Sequence, residues 1–327
     1  MNSENNKVVQ LNHKRNPGMP LDLDEVLRHS VNRSAVETRA ASLAGRRSVK
    51  KQWQAAWLLR AVTCIDLTTL AGDDTDGRVR RLCAKARQPV RTDVLAALGA
   101  QDLRIKPGAV CVYHHFIKTA VAALKGSGIP VAAVSTGFPA GLSPFSTRLS
   151  EIKVSVKAGA EEIDIVIERN LVLNEKWETL YSQISKARAA CGEAHLKVIL
   201  GTGELGTLNN VARASMLAMM AGADFIKTST GKESVNATLP VSLTMVRMIR
   251  SYYEMTGYKI GYKPAGGISV AKTAIQYLLM MKEELGNDWI QPDLFRFGAS
   301  SLLTDIERQL EHCATGRYAA YAHQPLV

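Results

Sequence analysis

The feature that most limits this chain is a rhythm that begins at Val62. Short β-rich runs alternate with stretches whose apolar residues recur at helical spacing: Val62 to Leu67, Ala109 to Tyr113, Val131 to Ser135, Glu162 to Ile167, Leu196 to Leu200, Asp224 to Thr228, Lys259 to Lys263 and Leu294 to Phe297. Each run is strand-length and leaves room for a helix after it, which is the pattern of parallel βα units. Eight such units in about 250 residues predict an α/β fold, the TIM (β/α)8 barrel, over residues 61–312, with the last helix near Ser301 to His312. A doubly wound open sheet is the competing architecture. With 46% apolar residues in 327, either has material for a large core.

Ahead of the rhythm, residues 1–20 are polar and carry two prolines, which predicts disorder. Residues 21–60 predict a helical extension of three segments, in which Trp53, Trp57 and Leu58 form an apolar stripe that should pack on whatever follows. Residues 313–327, with Tyr318 and Tyr321, are expected to form a mobile tail.

The net charge of +11 is uneven. The first sixty residues hold 11 Lys or Arg against 5 Asp or Glu, so more than half of the excess lies there. Arg46 to Lys51 (R-R-S-V-K-K) has the composition of a nuclear-import or nucleic-acid patch, although a solvated helix face is the greater expectation. Five widely spaced cysteines without a C-x-x-C pair argue for reduced thiols in a cytoplasmic protein, with nuclear entry left open. No apolar run approaches the roughly 18 residues of a membrane span, and the polar start lacks the apolar core of a signal peptide. A homo-oligomer is compatible with all of this.

Five ionisable residues within the apolar runs stand out: Asp66, Asp164, Lys197, Lys227 and Lys263. Side chains alternate between the faces of a strand, so in E-I-D-I-V-I Asp164 points into the barrel while Ile163 and Ile165 point out. Buried charges persist when they are paired, and three lysines with two aspartates can compensate one another. Five such residues from five strands would be a costly core, so they read as a site. Lys227 and Lys263 come at or next to the ends of their runs, at the C-terminal face where barrels of this kind carry their chemistry.

A neutral buried lysine is a carbonyl nucleophile. At its ordinary pKa near 10.4 an amine is roughly 0.04% neutral at pH 7, and freeing it near neutrality takes about 4 kcal/mol. Desolvation and a neighbouring ammonium supply such a shift, and Lys227 and Lys263 can do this for each other. Residue type does not say which one attacks.

Two glycine-rich segments, Pro264 to Ser269 (P-A-G-G-I-S) and Phe297 to Leu302 (F-G-A-S-S-L), follow the seventh and eighth runs. Phosphate sites in this fold are built from those two loops, where glycine admits close approach and helix N–H groups attract an anion. Gly231 and Lys232 add a further contact for charge. Three motifs are weaker. Gly201 to Gly206 (G-T-G-E-L-G) fits a dinucleotide fingerprint but falls in the fifth unit. His114 and His115 lack partners at metal-ligand spacing. T-S-T-G-K-E lacks the first glycine and the Ser or Thr of a P-loop.

Taken together, D-L-T-T-L at Asp66, E-I-D-I-V-I at Asp164, L-K-V-I-L-G-T-G-E-L at Lys197, G-A-D-F-I-K-T-S-T-G-K at Lys227, K-P-A-G-G-I at Lys263 and R-F-G-A-S-S-L at Gly298 resemble the deoxyribose-phosphate aldolases. The resemblance covers about residues 60 to 310, and the long prefix is similar to the animal-type form. It implies a metal-free, cofactor-free class I aldolase of deoxynucleoside catabolism. Such an enzyme cleaves 2-deoxy-D-ribose 5-phosphate reversibly to D-glyceraldehyde 3-phosphate and acetaldehyde, so the expected partner is a small phosphorylated sugar. By the same resemblance Lys227 is the Schiff-base lysine, Lys263 the residue that lowers its pKa and relays protons, and Asp164 the proton-transfer carboxylate. Lys232, Gly266, Gly267, Ser300 and Ser301 match phosphate contacts, while Asp66, Thr68, Cys111, Lys197, Thr230 and Gly298 match other substrate-lining positions. V-I-E-R-N after Asp164 and glycine at Gly201 depart from many bacterial members. A transaldolase-like Schiff-base barrel, or a scaffold that binds nucleic acid or protein through the basic prefix, would be the other classes.

Overall fold

A computed structural model describes residues 15–46, 49–50, 52–320 and 323–324. Eight strands, β1 (Ile65–Thr68), β2 (Ala109–Tyr113), β3 (Val131–Ser135), β4 (Glu162–Val166), β5 (His195–Ile199), β6 (Phe225–Lys227), β7 (Gly261–Lys263) and β8 (Phe297–Ala299), pair in parallel. The order runs β7-β6-β5-β4-β3-β2-β1-β8, and the bridges Tyr262 to Phe295 and Ala265 to Gly298 join its two ends. The ring is a (β/α)8 barrel, as the eight-fold rhythm predicts.

Three helices precede it: α1 (Leu23–Arg28), α2 (Arg33–Arg46) and α3 (Gln52–Thr63). Around it lie α4 (Asp76–Arg87), α5 (Thr92–Ala97), α6 (Ile117–Leu124), α7 (Phe145–Lys157), α8 (Arg169–Leu173), α9 (Trp177–Cys191), α10 (Leu208–Met220), α11 (Leu239–Thr256), α12 (Ala271–Leu285) and α13 (Ser301–Thr315). Threonines start three of them: Thr75, Thr207 and Thr238 accept the N–H groups of Arg78, Asn210 and Val241. Among the described residues no helix is long and apolar enough to cross a membrane.

Strand alternation divides the apolar residues into two bodies. Outward residues such as Ile163, Ile165, Val198 and Ile226 join the large core between barrel and helices. Inside the barrel the apolar filling is a small patch of Ala109, Cys111, Ala132 and Val134, all on β2 and β3. Phe225 of β6 adds a ring against Lys197 and Arg296, and charged side chains fill much of the rest.

Several boundaries differ from expectation. Val62 and Thr63 complete α3 instead of opening β1, because α3 packs along α12 and α13 and that contact outweighs their β-branched preference. Trp53 is 66% exposed, so the predicted stripe reduces to buried Leu58 and half-buried Trp57 under the Lys282 ammonium. Most of the predicted disorder at 1–20 lies outside the described residues, but residues 15–20 are tied down. Buried Asn16 donates its amide N–H groups to the carbonyls of Met219 and Ala223 at 2.7 and 2.9 Å, its backbone N–H to Asp224 at 2.9 Å, and accepts from the Tyr252 hydroxyl at 3.0 Å. The C-terminal tail is likewise held at Tyr318, stacked on His312, and at buried Ala319 and Gln324. Tyr321 lies outside the described residues, as do Arg47, Ser48 and Lys51 of the basic patch.

Candidate active site

The inward positions of five strands, joined by Arg296 just ahead of β8, converge on one buried cluster. Lys227 (β6) and Lys263 (β7) face each other across paired strands and donate to the same oxygen, Asp164 Oδ2 on β4, at 2.9 and 2.7 Å. Lys197 (β5) donates to Asp164 Oδ1 at 3.0 Å and to Glu162. Asp66 (β1) accepts from Lys263 and, at 2.5 Å, from Arg296 Nη1. Arg296 Nη2 donates to Glu162 at 2.8 Å. The cluster therefore holds four cationic side chains and three carboxylates, all of them buried.

That imbalance determines how the amines behave. Burial disfavours the charge of Lys227; one carboxylate, Asp164, opposes this and the Lys263 ammonium reinforces it, leaving its pKa below the ordinary 10.5. Burial also works against the charge on Lys263, but Asp164 and Asp66 outweigh it and raise its pKa. Lys197 is raised for the same reason, by Asp164, Glu162 and Asp66. Asp164, although burial would push it up, is held well below the usual carboxylate range by the three lysines. The arrangement yields one amine disposed to be neutral beside a carboxylate fixed as its anion and an ammonium fixed as its cation.

Lys227 opens onto a cavity of about 310 Å³ whose wall also takes in Thr68, Thr230, Lys232, Gly266 and Gly298. Gly231, Gly266 and Gly267 have φ of +84°, +81° and +77°, values that favour glycine. At Gly266 a Cβ would fall 2.5 Å from Asn236. The Thr230 and Gly231 N–H groups already point at an anion, the Glu233 carboxylate, at 3.0 to 3.2 Å. Asp66, Asp164, Lys197 and Lys263 lie behind this wall. Gly267, Ser300 and Ser301 stand beyond it, and the Ser300 hydroxyl proton is given to the Thr68 carbonyl at 2.5 Å. Cys111 is buried in the apolar patch of the lumen, which pushes its thiol pKa up.

Residues 60–307 match the profile described as DeoC/LacD family aldolase. The chain belongs to that family. A deoxyribose-phosphate aldolase of Mus musculus is 59% identical over 94% of this chain and 98% of its own, and that of Homo sapiens is 58% identical over 95% and 98%. A solved deoxyribose phosphate aldolase from Aeropyrum pernix superposes with a TM-score of 0.55, covering 80% of this chain and 97% of that one at 22% identity, a likeness in fold.

Within this cluster, sequence reasoning missed Glu162 and Arg296. Both sit at the inward parity of their runs, two residues from Asp164 and from Gly298, so extending the alternation to every charged residue would have found them. The departures at V-I-E-R-N and Gly201 prove to be one feature. Arg169 runs over Gly201, where a Cβ would lie 2.8 Å from its Cδ, and donates to Glu204 and the Ala140 carbonyl. The G-T-G-E-L-G glycines have structural reasons too, since a Cβ at Gly203 would strike the Val235 carbonyl at 2.0 Å. His114 pairs with Glu151 at 3.3 Å.

Proposed function

We propose that this chain is a deoxyribose-phosphate aldolase that works through a Schiff base on Lys227. Its substrate is 2-deoxy-D-ribose 5-phosphate and its products are D-glyceraldehyde 3-phosphate and acetaldehyde. The reading rests on one observation above all: two lysines on adjacent strands share a single carboxylate oxygen, and their surroundings shift them in opposite directions.

The amine of Lys227 adds to the C1 aldehyde of the open-chain sugar, and loss of water leaves a protonated imine. The C2–C3 bonding pair flows into that imine to make an enamine, while the C3 hydroxyl gives up its proton and becomes the aldehyde of glyceraldehyde 3-phosphate. Asp164, fixed as its anion, accepts that proton, and the Lys263 ammonium beside it relays one back to the enamine carbon. Hydrolysis of the new imine frees acetaldehyde and restores the amine. The Gly231 and Gly266 loops with Lys232 receive the 5-phosphate, and remote binding energy there holds C1 in register with Lys227. Five unpaired cysteines among the described residues suit a cytoplasmic setting for deoxynucleoside catabolism.

Borohydride reduction in the presence of acetaldehyde should attach an ethyl group to Lys227, read by peptide mass spectrometry. Lys227→Leu should abolish both labelling and turnover. Labelling that persists in Lys227→Leu refutes the assignment.

A further inference from the structure

Arg296 lies at the floor of the barrel and is not part of the cavity wall. It is nonetheless held as firmly as any group in the site. Nε donates to the Pro292 carbonyl, Nη1 to Asp66 and to Glu162, and Nη2 to Glu162. Its guanidinium carbon sits 5.9 Å from the centre of the Phe225 ring, and that ring fits because Gly261 opposite has no side chain: a Cβ there would meet it at 2.3 Å. Gly108 makes room for the arginine itself, since a Cβ at that position would lie 2.8 Å from Arg296 Cδ and Nε. Two glycines thus leave space for a buried cation that lies away from the cavity wall.

Its effect follows from the partners it occupies. The lumen presents Lys227 with charged or titratable groups from nearly every strand: Asp66 on β1, Cys111 and, nearer the mouth, Tyr113 on β2, Glu162 and Asp164 on β4, Lys197 on β5, Lys263 on β7 and Arg296 beside β8. From β3 only Ala132 and Val134 face in. Of the three carboxylates, two are bonded by Arg296, and the third is Asp164. Without the guanidinium, three ammonium groups would face three carboxylates and none would be in excess.

We propose that Arg296 and Glu162 form a positioning pair for the reaction: the guanidinium occupies Asp66 and Glu162, leaves Lys227 only a shared oxygen of Asp164, and so keeps that amine free to attack. The proposal rests on the reading of Lys227 as the nucleophile. The burial that lowers the pKa of Lys227 acts in the same direction.

The test is the pH dependence of borohydride trapping with acetaldehyde, measured on the full chain, with the labelled residue identified in each sample. Glu162→Gln, nearly isosteric, adds to the positive excess, so the acid limb should move to lower pH by half a unit or more. Arg296→Met removes the excess, so the limb should move up by about one unit, a tenfold loss of trapping on its acid side. Arg296→Lys should return the limb towards the parent position, and the double variant Arg296→Met with Glu162→Gln should fall between the two single ones. Limbs that coincide while only the plateau drops would overturn the proposal, because a merely structural role predicts that result. Should Arg296→Met fail to fold, Glu162→Gln decides alone: a downward limb supports the pair, and an unmoved or upward limb overturns it. A label on some other lysine in the parent chain would instead overturn the reading of Lys227, which separates the two failures.

Discussion

The ends of β6 and β7 carry the same side chain at paired positions, yet the two lysines are prepared for different work. Lys227 has one carboxylate within reach and shares it, whereas Lys263 has that carboxylate and Asp66 as well. Both are buried, so desolvation alone cannot separate them. The number of carboxylates around each amine does, with burial acting on both and anions rescuing only one. The comparison shows that a (β/α)8 lumen can shift two identical groups in opposite directions over a few ångströms by placing carboxylates unequally around them, from β1 and β4.

Removing the carboxylate common to both should have the largest effect. Asp164→Asn takes away the proton acceptor, and turnover should fall by roughly 10² to 10⁴. It also takes away the carboxylate bonded to Lys227, the anion that most favours its protonation. The acid limb of imine trapping should therefore move to lower pH even as turnover collapses. Parallel assays of acetaldehyde release and borohydride trapping would show the two diverging; turnover within tenfold of the parent would remove Asp164 from the proton transfer.

Removing the other amine should be less severe and should depend on pH. In Lys263→Met, Lys227 loses a like charge and is left alone on Asp164 Oδ2, so its pKa rises. Since the neutral amine is the reactive form, activity rises with pH through that value, and each unit of upward displacement costs about tenfold below it. A loss of about a hundredfold near pH 7, shrinking as pH is raised in a kcat/KM profile, is expected. A deficit of equal size at every pH would mean that Lys263 contributes as a proton carrier and not through its charge.

How much of this contrast could be read from the residues alone depends on the range of the interaction. Alternation along a single strand is local, so the inward direction of Asp164 and the placement of both lysines at strand ends were legible in E-I-D-I-V-I and F-I-K-T. The rhythm of eight runs likewise carried the barrel, because each βα unit is written in contiguous residues. Strand ends were less legible. Val62 and Thr63 finish a helix because of what α3 packs against, and β8 starts at Phe297 instead of Leu294, with Phe295 joined to Tyr262 only by an isolated bridge. The difference between Lys227 and Lys263 was not legible at all, because it depends on which carboxylates β1 and β4, distant in the chain, bring near each amine. Arg296 marks the limit well: its parity was readable, but its partners on β1 and β4 lie 230 and 134 residues away in the chain.

The same limit applies at the base of β6, where the smallest effect on the chemistry is expected. Asn16 holds the turn that leads into this strand, joining the carbonyls of Met219 and Ala223 to Asp224, whose other oxygen takes Arg188 Nη1 at 2.7 Å and the Leu196 N–H at 2.8 Å. In Asn16→Ala the Ala223 carbonyl and the Tyr252 hydroxyl lose their partner and the Met219 carbonyl keeps only the Gly222 N–H, a loss of about 2–3 kcal/mol in stability. Lys227 lies at the far end of the strand, and its surroundings come from β4 and β7. The charge argument therefore predicts a lower melting temperature with kcat and the pH limb nearly unchanged. If the limb moved with the melting temperature, strand anchoring as well as charge count would be setting the two lysines apart.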